Sequence, residues 1–166
     1  MCPEGTRRSA LYARLGVLRR VMIDTMVFDA LHDDPDGREA VIDAIRHDEL
    51  HLLTTHVQED QLAAIRDHAR RKALQQLPRT VVPSTVVVDG VTRTGRARVN
   101  PASTYARMRD VRHFQDSLIA DATAARADLL VTDDRRLARE AFELGNDVWS
   151  STELLEWAKG RRARRA

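Results

Sequence analysis

The stretch ADLLVTDDRRLAREA, residues 127 to 141, decides how the rest of the chain is read. Leu129, Leu130 and Val131 form a short apolar run with polar bounds, the mark of a buried strand. The Arg-rich segment behind it, spaced by Leu and Ala, reads as a helix. Thr132, Asp133 and Asp134 stand between the two. Adjacent carboxylates repel, so stability alone gives little reason to keep both at a strand's end. Either one of them caps the following helix, as Asp does well, or the pair serves chemistry there.

The same alternation extends in both directions. Val21 to Asp24 is an apolar run ending in an acid, and TMVFDAL behind it reads as a short helix. Pro35 and Asp36 suit the start of a second helix, with Val41, Ile42 and Ile45 on one face. HLLTTH, residues 51 to 56, is a second strand. From Val57 to Leu77 the recurrence of Leu62, Ile65, Ala69 and Ala73 predicts one long helix. Glu59 lies at the inward edge of that apolar stripe, where desolvation calls for a partner. Residues 86 to 94 read either as a hairpin turning at Asp89-Gly90 or as an irregular basic loop. A helical TYARMRDVRH follows, and then FQDSLIADATAARA, a helix with Leu118, Ile119 and Ala122 on its apolar side. Beyond the opening stretch come a strand at DVWS and a last helix at STELLEWAKG, whose start Ser151 and Glu153 favour. Strands alternating with helices predict a parallel sheet covered on both faces.

The chain has 166 residues, enough for one domain with a single sizeable core. Aromatics make up only 4%, so that core has to be mostly Leu, Val, Ile and Ala. Cys2 is the one cysteine, which excludes an internal disulfide. No apolar stretch approaches the roughly 20 residues of a membrane span, and Arg14 interrupts SALYARLGVL too early for a signal core. A cytoplasmic protein is expected. Net charge is only +2, but Arg79 to Arg112 holds seven arginines against Asp89 and Asp110. Such clusters either neutralise phosphates or are solvated surface.

Ligands of parallel α/β sheets bind beyond the carboxyl ends of the strands. Asp24, Glu59, Asp116 and Asp134 all fall near that rim, from remote parts of the chain. Four carboxylates there cannot stay ionised without counter-charge. A divalent cation is the economical one, and hard oxygen ligands suit Mg2+ or Mn2+.

From Val21 to about Trp157 this arrangement resembles the PIN-domain family of metal-dependent ribonucleases. VMIDTMVF looks like the family's opening strand, with its acid at Asp24 and its hydroxyl at Thr25. THVQEDQL is similar to the segment carrying the second acid, on Glu59. DSLIADATAARADLLVTDDRRL is the strongest match, with the third acid at Asp116 and a Thr-x-Asp ending at Thr132 and Asp134. The resemblance implies a three-layer α/β/α domain with a central, mostly parallel sheet over residues 21–158, residues 1–20 as an extension and 159–166 as a basic tail. It implies an endoribonuclease with Asp24, Glu59, Asp116 and Asp134 catalytic, and Asp24, Asp116 and Asp134 holding Mg2+ or Mn2+. Thr25, Thr132 and Asp133 would support them, with Thr132 orienting a neighbouring carboxylate or water and Asp133 left for the surface or a helix cap. Arg93, Arg96 and Arg98 would hold the RNA backbone. Many small bacterial members are VapC-type toxins of type II toxin–antitoxin pairs, so an antitoxin and a homodimer are the implied partners.

One departure is Asp121, where relatives usually carry a small apolar residue. It lies about 140° around the helix from Asp116 at roughly 100° per residue, so a surface or helix-contact role is expected. A haloacid-dehalogenase-like phosphatase shares the Asp-ended strands, but the second Asp of its nucleophile motif falls on Met26. A non-catalytic RNA- or protein-binding scaffold of the same fold is the other alternative. His47, His51 and His56 span different elements and are expected to be ordinary surface histidines, not a zinc site. Ser117 and Cys2 lack nucleophile–base spacing.

Overall fold

A computed structural model describes residues 19–83 and 114–166. Within them β1 (Arg19–Ile23), β2 (Leu50–Thr55), β3 (Thr80–Val82), β4 (Leu129–Val131) and β5 (Asp147–Trp149) form one sheet. Its order is β3-β2-β1-β4-β5, and all four pairings are parallel. The helices are α1 (Thr25–Asp33), α2 (Pro35–Arg46), α3 (His56–Ala63), α4 (His68–Gln75), α5 (Phe114–Arg126), α6 (Arg135–Glu143) and α7 (Ser151–Arg165).

Because strand side chains alternate faces, the central strands feed two cores. Val21, Ile23, Leu50, Leu52, Leu129 and Val131 pack with Phe28 and Leu31 of α1, Val41 of α2, Leu62, Leu74, and Leu154 of α7. Met22, Leu53 and Leu130 point the other way, onto Ile119 and Ala122 of α5 and Leu137 and Ala141 of α6. This is the expected three-layer α/β/α arrangement. Val21, Met22 and Ile23 are all fully buried, as befits a central parallel strand covered on both sides. No helix among the described residues is long and apolar enough to cross a membrane.

Three boundaries differ from the sequence expectation. The single helix over Val57–Leu77 is two, because Asp67 accepts from Arg70 N at 3.0 Å and caps α4, a bond that Asp offers in place of helix continuation. Arg71 Nη1 then donates to Ile65 O at 3.0 Å, satisfying a carbonyl at the break. β3 was not anticipated: Thr80–Val82 extends the sheet beside Leu53–Thr55. The hairpin or loop expected at residues 86 to 94 and the helix at 104 to 113 lie outside the described residues, as do residues 1–18. Arg19 and Arg20, expected in an extension, belong to β1.

The third difference is the basic tail: α7 continues to Arg165, so the boundary expected at 158 falls inside a helix. Ion pairs explain the continuation. Arg161 Nη2 reaches Glu49 Oε1 at 2.8 Å, Arg165 pairs with both Glu49 and Asp43, and Lys159 Nζ reaches Asp34 Oδ2 at 2.6 Å. These contacts set a pH dependence. The Arg161 guanidinium holds the Glu49 carboxyl below its usual range, as Arg165 does for Asp43 and Lys159 for Asp34. Native values below unfolded ones mean stability present at neutral pH and lost as pH falls through this range. The melting temperature is therefore expected to drop on acidification below about pH 4, and Glu49→Gln to make that drop shallower in thermal melts.

Candidate active site at the carboxyl edge of the sheet

The chain winds from β1 outward to β2 and β3, then returns to place β4 on the other side of β1. The crevice beyond the carboxyl ends of β1 and β4 is therefore the switch point of the sheet, the usual ligand position in such folds. Asp24 follows β1 directly, its N–H donating to Val131 O at 3.0 Å, and Ile23 pairs with Val131. Parallel register thus brings Thr132, the residue after β4, beside Asp24.

Asp24 is only 7% exposed. Its Oδ1 accepts from Thr25 N at 2.6 Å and its Oδ2 from Thr132 Oγ1 at 2.9 Å. Burial pushes its carboxyl above the usual range; the bonds from Thr132 and Thr25 pull it down, and the charges of Asp116 and Asp134 push it further up. Thr132 Oγ1 also accepts from Asp134 N at 3.0 Å, so one hydroxyl spaces two carboxylate-bearing residues. Thr132→Val keeps the shape and removes both bonds. It should cost about 1–3 kcal/mol in denaturant unfolding and move the Asp24 titration higher still, read by carboxyl NMR.

The adjacent acids of the opening stretch face different helices. Asp134 is the N-cap of α6, its Oδ1 accepting from Arg136 N at 2.7 Å and Leu137 N at 3.2 Å. Asp133 Oδ1 accepts from Ser151 N at 2.9 Å, at the start of α7. The capping alternative therefore holds for Asp134, whose charge also acts on Asp24. Asp133 thus satisfies a free N–H in the first turn of α7, whose N-cap is Ser150.

Two carboxylates find their counter-charge within the chain. Asp116, in the first turn of α5, pairs through Oδ2 with Arg136 Nη2. Glu59 accepts from Arg79 Nε at 2.7 Å and Nη2 at 2.8 Å, and from Thr54 Oγ1 at 2.8 Å. The partner that the apolar stripe demanded for Glu59 is thus a guanidinium. The spacing of the sequence gives no sign of either arginine, since 20 residues separate each from its acid. Gln58 and Gln61 were also missed. Gln58 Nε2 donates to Ile23 O at 2.9 Å, fixing α3 to the end of β1, and the Thr25 hydroxyl donates to Gln61 Oε1. Gln58 was discoverable, because Thr55-x-x-Gln58 is a capping box.

The chain Asp24–Thr132–Asp134–Arg136–Asp116 is continuous through these bonds, whereas Glu59 and Asp133 are turned to other partners. Arg93, Arg96 and Arg98 lie outside the described residues. Asp121 is 1% exposed, so the surface role expected for it does not hold. His56 is likewise buried, at 2%, because the first turn of α3 packs under the sheet edge; His47 and His51 are exposed. Met26 is half exposed on α1 and offers no acid to a phosphatase mechanism.

Asp116 Oδ1 and Asp134 Oδ2 lie outside the bonds just described, and carboxylate oxygens are the donor type that a hard divalent cation takes. Among the described residues, no three acidic, histidine or cysteine side chains already converge at coordinating separation. Comparison with family models, curated proteins and solved structures finds no match to this chain.

Proposed function

We propose that the chain is a metal-dependent endoribonuclease of the PIN-domain type, hydrolysing RNA phosphodiester bonds at the β1–β4 crevice. The observation that supports this reading is Asp24, buried at the switch point of the sheet and opposed by the charges of Asp116 and Asp134. A fold gains no stability from such opposition, which is the mark of a functional site.

Asp24, Asp116 and Asp134 are the residues that hold Mg2+ or Mn2+ in this reading. The bound ion supplies charge stabilisation for the in-line displacement and a more acidic water. A carboxylate of the site would help to remove the proton of the attacking water. Thr132 holds Asp24 Oδ2 in place, and the α1 amide of Thr25 holds Oδ1. RNA is the substrate class, and the basic segment around Arg93, Arg96 and Arg98 is its proposed backbone contact. A VapC-type role, with a small antitoxin and a second copy of the chain as partners in the cytoplasm, extends this reading.

A specific observation favours a second one. Arg136 on Asp116 and Arg79 on Glu59 supply internally the charge that a cation brings, as suits a non-catalytic scaffold. RNA cleavage with Mn2+ separates the two. Cleavage lost in EDTA and in Asp116→Asn supports the nuclease; cleavage that survives either change rejects the mechanism, and none at all under Mn2+ favours the scaffold.

A further inference from the structure

One face of α6 is occupied in a way that packing does not explain. Leu137 and Ala141 turn inward and are fully buried. At about 100° per residue, Arg135, Arg139 and Phe142 fall within roughly 60° of one another on the opposite side of the helix, and all three are exposed. Phe142 keeps 55% of its surface; it and Met26 are the exposed large hydrophobic side chains among the described residues. Aromatics are only 4% of the chain, and burying a ring is among the larger gains a core can make. This ring is left in water, in line with two arginines.

The stripe also has a direction. α6 begins at Asp134, whose N–H donates to Thr132 Oγ1 at 3.0 Å, and the same hydroxyl donates to Asp24 Oδ2 at 2.9 Å. Its first turn is thus tied to the buried acid of the crevice, and the stripe runs outward from there. Arg139 lies about 6 Å along the axis from Arg135, and Phe142 about 4.5 Å beyond, at 1.5 Å per residue. Arg139 Nε donates to Glu143 Oε1 at 3.0 Å, but the two side chains are 81% and 62% exposed. A pair so exposed contributes little, and a phosphate offers the same guanidinium fork an equivalent partner.

Two cations followed by an open ring suit a single nucleic-acid strand, in which phosphates repeat and every base offers a π-face. A second copy of the chain is a poor fit. A two-fold contact would set like-charged stripes together, and one ring falls far short of the roughly 800 Å2 per partner of a stable interface. We propose that Arg135, Arg139 and Phe142 form a docking stripe for single-stranded RNA extending from the crevice, the arginines on phosphates and Phe142 stacked on a base. This rests on the reading of the crevice as the place of RNA cleavage and adds where the strand is held beyond it.

The test uses the full chain and a fluorescent 2′-O-methyl single-stranded oligonucleotide, which resists cleavage, followed by anisotropy in EDTA over a range of KCl. Phe142→Ala should bind it about tenfold more weakly, within the range for one lost stacking contact, with the log–log salt slope unchanged. Arg135→Gln combined with Arg139→Gln should make that slope shallower by about 1.4, the value for two phosphate contacts on a single strand. The corresponding pair of lysine substitutions should restore it. On a duplex of the same length, whose bases are already stacked, Phe142→Ala should change nothing. Unaltered oligonucleotide binding in the neutral variants, with RNA cleavage in Mn2+ intact, overturns the stripe and leaves the nuclease reading standing. Phe142→Ala that converts a dimer to a monomer in sedimentation, yet binds the oligonucleotide normally, overturns it in favour of a second copy. The expected losses in a chain that cuts no RNA support the stripe and reject the cleavage reading alone.

Discussion

Arg79→Ala is expected to destabilise the protein by about 3 kcal/mol, the low end of the cost of removing one partner of a buried ion pair. The low end applies because the Glu59 side chain keeps 27% of its surface, so water relieves part of the unpaired charge; Arg79 keeps 9%. The loss reaches beyond that pair. Arg79 Nη1 donates to Leu74 O at 3.2 Å, Gln75 O at 3.3 Å and Leu77 O at 3.0 Å. These are carbonyls at and beyond the last turn of α4, of which Leu74 O also accepts from Leu77 N at 3.2 Å. The guanidinium also lies 5.8 Å from the Phe28 ring centroid of α1. One side chain therefore joins α3, the end of α4, the entry to β3 and α1. Lysine has neither the fork nor five donors, so Arg79→Lys should recover less than half of the loss. In Glu59→Gln the charge that needs Arg79 is gone, and the double variant should be more stable than the two single losses predict, with a coupling of about 1–2 kcal/mol. Urea unfolding of the four proteins measures this. A single-variant cost below about 1 kcal/mol, the range of surface pairs, would show that water already screens the contact.

That pair also marks where sequence reasoning stops. Strand and helix periodicity located β1, β2, β4, β5 and the helices packed on them, because each buries a regular apolar face that is visible locally. β3 was missed because Thr80–Val82 is a run of three residues whose strand is set by pairing with Leu53–Thr55. The break between α3 and α4 was missed because apolar residues keep helical spacing across it, while Asp67 acts through a single capping bond. The carboxylates of the crevice were legible, since strand ends in a parallel sheet share one rim. Their arginine partners were not. A long cationic side chain finds its acid through the tertiary fold, and residues 79 and 136 are as ordinary in sequence as the exposed Arg139.

Asp24→Asn should raise the melting temperature in EDTA while lowering RNA cleavage in Mn2+ by at least about a thousandfold, the scale seen when a group stabilising transition-state charge is removed. The two changes have one cause. Burial and the charges of Asp116 and Asp134 disfavour the ionised Asp24 more than the bonds from Thr132 and Thr25 favour it. Its native proton affinity thus exceeds that of the unfolded chain. Between those two values the native state holds the extra proton, so stability declines as pH rises through the window and stays reduced above it. A neutral Asn escapes this loss and can still accept the Thr25 N–H that starts α1. The advantage of Asn over Asp should therefore be present at neutral pH, shrink as the pH falls through that window, and be gone below the unfolded carboxyl value, near about 3.9. This trend runs opposite to that of Glu49, whose ion pairs favour its charge. Paired thermal melts at pH 3.5 and 7, with cleavage assayed on the same preparations, check both halves. A variant destabilised at pH 7 would mean that the two hydrogen bonds outweigh the desolvation of Asp24. A stabilised variant that still cuts RNA would separate the strain at the crevice from catalysis and return Asp24 to a purely structural role.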